Sequence, residues 1–136
     1  MQKFQVSFRI SGVNVRPLDI NEQLMIKGDV LYTPGDKHRM SNGKSIGCRE
    51  SDVGVWAIDS RASCEQPISA QIEALLEKLE PHFNLLGEYA LQGHKMDFFC
   101  GYSFKGIQPG LSMPSNILGK MGEMGIDFEL CLYDLS

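Results

Sequence analysis

Apolar and polar side chains alternate along three stretches of this chain. A period of two residues is the mark of a strand with one buried face. In the first stretch, Phe4, Val6, Phe8 and Ile10 alternate with Gln5, Ser7, Arg9 and Ser11. In the second, Met96, Phe98, Cys100, Tyr102 and Phe104 share one parity. In the third, Ile126, Phe128, Leu130 and Leu132 line a core and leave Asp127 and Glu129 to water. Val30-Leu31-Tyr32 adds a short strand. Residues 53–58 are apolar at both parities around Trp56, which predicts an interior strand covered more fully than the others.

A period of 3.6 residues marks the helices. Ile68, Ile72, Leu75, Leu76 and Leu79 form one stripe over residues 67–80, with Gln71, Glu73, Glu77, Lys78 and Glu80 outside. Pro81 interrupts that helix but suits the first turn of another, so residues 67–93 form either a kinked helix or two helices in sequence; the second apolar stripe is Phe83, Leu86 and Tyr89 or Ala90, ending near Gly93. A short helix opens at Pro17, with Asp19 and Glu22 spaced as a capping box, Ile20, Leu24 and Met25 inward, and Gly28 as its stop. A last helix, capped by Ser112 or Ser115, runs to Met124 with Ile117, Leu118, Met121 and Met124 inward and Gly125 at its C-terminal end. Gly119 and Gly122 weaken it and leave room for close approach to a sheet.

The two ends of the chain share one layout, strand, loop, capped helix, glycine, strand. The elements add up to an α+β fold: a two-layer sandwich of about five strands, mostly antiparallel or mixed. Helices cover one face, and two β-loop-α-β units build a ferredoxin-like arrangement. At 136 residues this is a single domain spanning 1–136, large enough to fold on its hydrophobic core alone.

The net charge of −4 and the lack of a basic run argue against nucleic acid as a partner. No apolar run reaches the length of a membrane span, and the first residues enter a strand pattern directly rather than a leader. The expected location is therefore cytoplasmic. The four cysteines, Cys48, Cys64, Cys100 and Cys131, contain no CxxC pair and read as structural thiols. No cofactor and no metal are expected.

Specific residues carry a resemblance. Phe8-Arg9-Ile10-Ser11-Gly12, Asp19-Ile20 heading a short helix, Gly35-Asp36 and Val55-Trp56 come first. Leu75-Leu76-Glu77-Lys78-Leu79-Glu80-Pro81 follows, then Leu118, Met121, Gly125 and residues 127–133. In this order and spacing the chain resembles the bacterial family known as domain of unknown function 4279, over nearly its whole length. The resemblance implies a fold and no catalytic residues. The glycines at 119 and 122 depart from the good helix formers that such a helix favours.

Motifs for phosphate cradling, zinc hydrolysis and nucleophilic serine are absent: there is no GxxxxGK[ST], no HExxH and no GxSxG. The polar loop at residues 36–52 is the best candidate for chemistry. Asp36, His38 and Arg39 gather mixed charge there, suited to an anion or to general base work, or simply to solvation. If that loop folds over the sheet, Trp56 floors a pocket; otherwise Trp56 is core. Asp127 and Glu129 share a wet face with Arg9 and Lys3, and cross-strand ion pairs follow if the two terminal strands are neighbours.

The expected function is a non-enzymatic protein-binding module, of the immunity or regulatory kind, using the wet sheet face. Its binding residues would be Arg9, Asp36, His38, Arg39 and Trp56. The alternative is a small-molecule or anion-binding domain with its pocket near Trp56 and the 36–52 loop. A homodimer through an exposed edge strand is the remaining partner reading.

Overall fold

A computed structural model describes residues 2–34, 53–107 and 110–136. Five strands form one mixed sheet: β1 (Gln2–Gly12), β2 (Val30–Tyr32), β3 (Gly54–Asp59), β4 (Lys95–Phe104) and β5 (Asp127–Asp134). Among the described residues four α-helices interleave them: α1 (Pro17–Leu24), α2 (Ile68–Leu79), α3 (Phe83–Leu91) and α4 (Ser115–Met124). The sheet order is β2-β3-β1-β4-β5, with every pairing antiparallel except β4 with β5.

β1 is the central strand. Its even-numbered residues Val6, Phe8 and Ile10 are buried beneath the helices. Register carries that parity outward. Phe8 faces Ile58 on β3 and Phe98 on β4, and Phe98 faces Phe128 on β5. The Phe8 and Phe98 rings lie 5.6 Å apart, centroid to centroid, and Phe4 packs on Tyr102 at 4.8 Å. All four helices insert apolar residues into this one layer: Ile20 and Leu24, Ile72 and Leu76, Leu86 and Tyr89, Ile117 and Met121. The fold is therefore the α+β two-layer arrangement expected from the hydrophobic pattern.

The two β-loop-α-β units are present but not equivalent. β4 and β5 lie side by side in parallel, whereas β3 is inserted between β1 and β2. Their likeness is one of element order, not of pairing.

Several local expectations are corrected. α1 begins at Pro17 with Arg16 as its N-cap, so Asp19 sits inside the first turn and no capping box forms. α1 stops at a left-handed Met25, which is 88% exposed, rather than at Gly28. Gly28 is needed for space: a Cβ there would lie 2.6 Å from Trp56 Nε1. α4 is preceded by Pro114, with no serine side-chain cap, and Leu118 points outward. Gly119 and Gly122 have open space around them, so they do not mediate close helix–sheet approach.

Gln71 is buried rather than external. Its side-chain amide N–H groups donate to the carbonyls of Phe4 and Gln66 at 3.0 and 2.9 Å, and its Oε1 accepts from Ser60 Oγ at 2.7 Å. A buried amide satisfied at each end can occupy a core without penalty. The core face of β5 is also more open than alternation predicts. Phe128 and Leu132 are half-exposed because, among the described residues, β5 is an edge with no strand beyond it. Among the described residues, no helix is long and apolar enough to cross a membrane.

Two glycines give opposite expectations. A Cβ on Gly54 would sit 2.0 Å from the Val15 carbonyl oxygen, whereas one on Gly119 would meet nothing. Gly54→Ala should lose about 3 kcal/mol or more through overpacking against backbone. Gly119→Ala should gain about 0.5–1 kcal/mol from helix propensity and a less flexible unfolded chain. Urea unfolding of both variants measures each difference.

Candidate functional site

The odd-numbered residues of β1 face away from the helices. Register places Asp97 of β4 opposite Arg9 and Phe99 opposite Ser7, and pairs Phe99 in turn with Glu129 of β5. Arg9 thus reaches two neighbouring strands on one face. Its Nε and Nη2 donate to the two Asp97 carboxylate oxygens at 2.8 and 2.6 Å, and Nη2 also donates to Glu129 Oε2 at 2.9 Å. Lys95 Nζ lies 3.8 Å from Asp97 Oδ2 and 3.9 Å from Glu129 Oε2. The Arg9 guanidinium carbon stands 4.4 Å from the centre of the Phe99 ring, a cation–π contact.

Two cations and two carboxylates are cross-paired here, so the cluster is neutral as a whole. The fork of Arg9 matches one carboxylate bidentately, a geometry lysine cannot supply. Asp97 is the most enclosed member, its side chain 3% exposed against 33% for Arg9. Burial pushes the Asp97 carboxyl up, but hydrogen bonds with Arg9 and Glu129 and the charges of Arg9 and Lys95 outweigh it. Its pKa lies below the ordinary carboxylate value. Arg9 is held more firmly protonated by its hydrogen bond to Asp97, against a smaller opposing effect of burial.

Around this cluster the face is mixed. Ser7 Oγ donates to Asp59 Oδ1 at 2.6 Å, and the Tyr133 ring lies against Gly101, where an added Cβ would touch it at 3.5 Å. Toward β2 the same face is closed: Tyr32 and Ala57 are buried although register puts them opposite the core. Among the described residues, no group of three His, Cys, Asp or Glu side chains is placed to hold a metal ion. Cys64, Cys100 and Cys131 are free thiols, and burial pushes Cys100 up to about 12, so it stays protonated. Burial lowers the pKa of His94, which packs beside Tyr89 with ring centres 5.7 Å apart.

The two candidate binding residues that the structure describes, Arg9 and Trp56, are not brought together. Arg9 lies on the open face, while Trp56 is fully buried on the helix face. The Trp56 indole N–H donates to Asn21 Oδ1 at 2.8 Å, and the Gly28 N–H donates to the same oxygen at 2.8 Å. Asp36, His38, Arg39 and the rest of the 36–52 loop lie outside the described residues. The expected pairing of acids on β5 with cations on β1 holds for Arg9 with Glu129, but not through neighbouring strands. β4 lies between them, and Asp97 is the principal partner. Asp97 was legible only as the polar parity of its strand, since nothing local distinguishes it from any solvated aspartate.

The lowered pKa sets a pH dependence. Asp97 contributes its stability in full above the unfolded carboxylate value, and that contribution is lost as pH falls through its lower folded value. Relative to Asp97→Asn, the wild-type protein should lose unfolding free energy progressively as pH drops below about 4. Urea titrations at several pH values check this. Arg9→Ala, which takes both hydrogen bonds from the buried Asp97 carboxylate and leaves it only Lys95 at 3.8 Å, should cost about 1–3 kcal/mol near neutral pH, and less in acid where Asp97 can protonate.

No curated protein and no solved structure matches this chain. A family profile matches residues 2–135, essentially the whole chain. The match spans every strand and helix of the described sheet and its helical layer, and the protein belongs to the domain of unknown function 4279 (DUF4279).

Proposed function

We propose that this protein is a non-enzymatic, cytoplasmic bacterial module that binds a protein partner of the immunity or regulatory kind through the open face of its sheet. The observation that carries this reading is the closed pairing of Arg9, Lys95, Asp97 and Glu129. A general base needs a lone pair free to take a proton at the working pH. Asp97 instead accepts from Arg9 at each of its oxygens and has a lowered pKa, which makes it a poor base. The same arrangement suits recognition. A guanidinium held over an aromatic ring, with Tyr133 and Glu129 on the same face, presents residue types that carry binding energy at protein interfaces. Holding these side chains in advance reduces the entropy lost on association.

The test is photo-crosslinking in the native host. A crosslinking amino acid replaces Gln5 or Ser103 on the open face, or Glu73 on the outer side of α2. The expected result is one discrete crosslinked partner from positions 5 and 103 and none from 73. Equal labelling from all three positions, or none from 5 and 103, contradicts the proposal.

A further inference from the structure

Among the described residues, β5 is the last strand of the sheet beside β4, and no strand pairs with its other edge. The Leu135 N–H donates to the Phe104 carbonyl at 2.8 Å. Main-chain groups alternate sides along a strand, so the odd-numbered residues of β5 turn theirs toward β4. Those of Phe128, Leu130 and Leu132 then point away from the sheet. Among the described residues, no main-chain hydrogen bond outside the β4 ladder reaches that edge. β5 is eight residues long and contains no proline or lysine. It exposes Phe128 (38%), Leu132 (49%) and Tyr133 (47%). Proline, a charged side chain (lysine above all), a bulge or cover is the usual protection of such an edge; the charges of β5 are Asp127 and Asp134 at its two ends and Glu129, which is already paired with Arg9 and Lys95.

We propose that β5 pairs antiparallel with β5 of a second copy, across a twofold axis at Leu130. The argument is self-complementarity. Only outward-facing residues can exchange main-chain hydrogen bonds, so even-numbered residues must meet even-numbered ones. Centred on Leu130, Phe128 meets Leu132 twice and Leu130 meets its own copy. Asp127 then meets Tyr133 and Glu129 meets Cys131, so no acid opposes an acid. Centring on Glu129 places two glutamates directly opposite, which is destabilising. Centring on Cys131 sets Phe128 against Asp134, and centring on Leu132 sets Leu130 against Asp134. The Leu130 register also brings Asp134 opposite Ile126, but Ile126 is buried and lies before the first residue of β5, and of these registers only this one sets Phe128 against Leu132 at both ends. Glu129 tolerates the approach of a second acidic chain because Arg9 and Lys95 already neutralise it. The two sheets join with their helices on the same side, and two Arg9 clusters flank the twofold on one continuous open face.

This inference goes beyond the partner-binding reading, and either can fail without the other. Its test is sedimentation equilibrium of the full chain from micromolar to millimolar concentration. A reversible monomer–dimer equilibrium is expected. Leu132→Lys should raise the dissociation constant about tenfold or more. Leu118→Lys, the same change at an equally exposed site on α4, should leave it unchanged. Amide exchange on the wild-type protein gives a readout that needs no variant. Protection at Phe128, Leu130 and Leu132 should rise with concentration, while Glu129 and Cys131 stay protected throughout. A monomeric mass at every concentration overturns the proposal. So does a dimer that resists Leu132→Lys or leaves the outer amides of β5 unprotected.

Discussion

Strand β1 is hydrogen-bonded along both edges, and the rest of the molecule depends on its period of two. Its partners β3 and β4 can only copy the face assignment that β1 sets, because residues opposite one another in a ladder share a side. A slip of one residue would turn Phe8 and Ile10 to water and drive Arg9 under the helices. Such a change would remove the aromatic contacts of Phe8 with Phe98 and Trp56 and bury an unpaired charge. Large opposite penalties on the two faces leave a single register.

The open face follows from that register. Once Arg9 is outside and β4 is its neighbour, Asp97 falls beside it. The next strand then brings Glu129 within reach of the same guanidinium. The Arg9 side chain is long enough to cross β4, so a pair forms between strands that do not touch. Enclosure of Asp97 makes the cluster asymmetric. Its carboxylate depends on Arg9, while Glu129 and Lys95 remain in contact with solvent. The core face answers to a different constraint. There Asn21 fastens the Trp56 indole and the Gly28 amide at one oxygen, tying the loop after α1 to β3.

Position in the sheet explains where pattern and burial part company. β5 alternates as cleanly as β1, yet Phe128 and Leu132 are half-exposed while Phe8 and Ile10 are fully buried. Both strands obey the same pleat. The difference is that β1 has neighbours on both sides and β5 has one. The helices show the same effect. Ile72, Leu75, Leu76 and Leu79 are buried as their spacing requires, but Leu118 of α4 faces out and Gln71 of α2 faces in. Spacing places a residue on a helical face. Whether a core neighbour is there, or whether a buried amide finds partners such as Phe4, Gln66 and Ser60, depends on other elements.

The division between what was legible in the chain and what was not follows from range. Period-two and period-3.6 patterns are local, so the five strands, the principal helices, the one-sided sheet and the family resemblance are all readable from residue order. Strand adjacency is not local. Nothing near Asp97 in sequence marks it as the partner of Arg9, 88 positions away, and nothing near Glu129 tells that β4 rather than β1 lies beside it. Alternation assigned Arg9 to the open face, but Trp56, apolar at both parities, could be placed only by pairing. Electrostatic partners and edges arise from long-range pairing, and that pairing is settled only when the whole core closes at once.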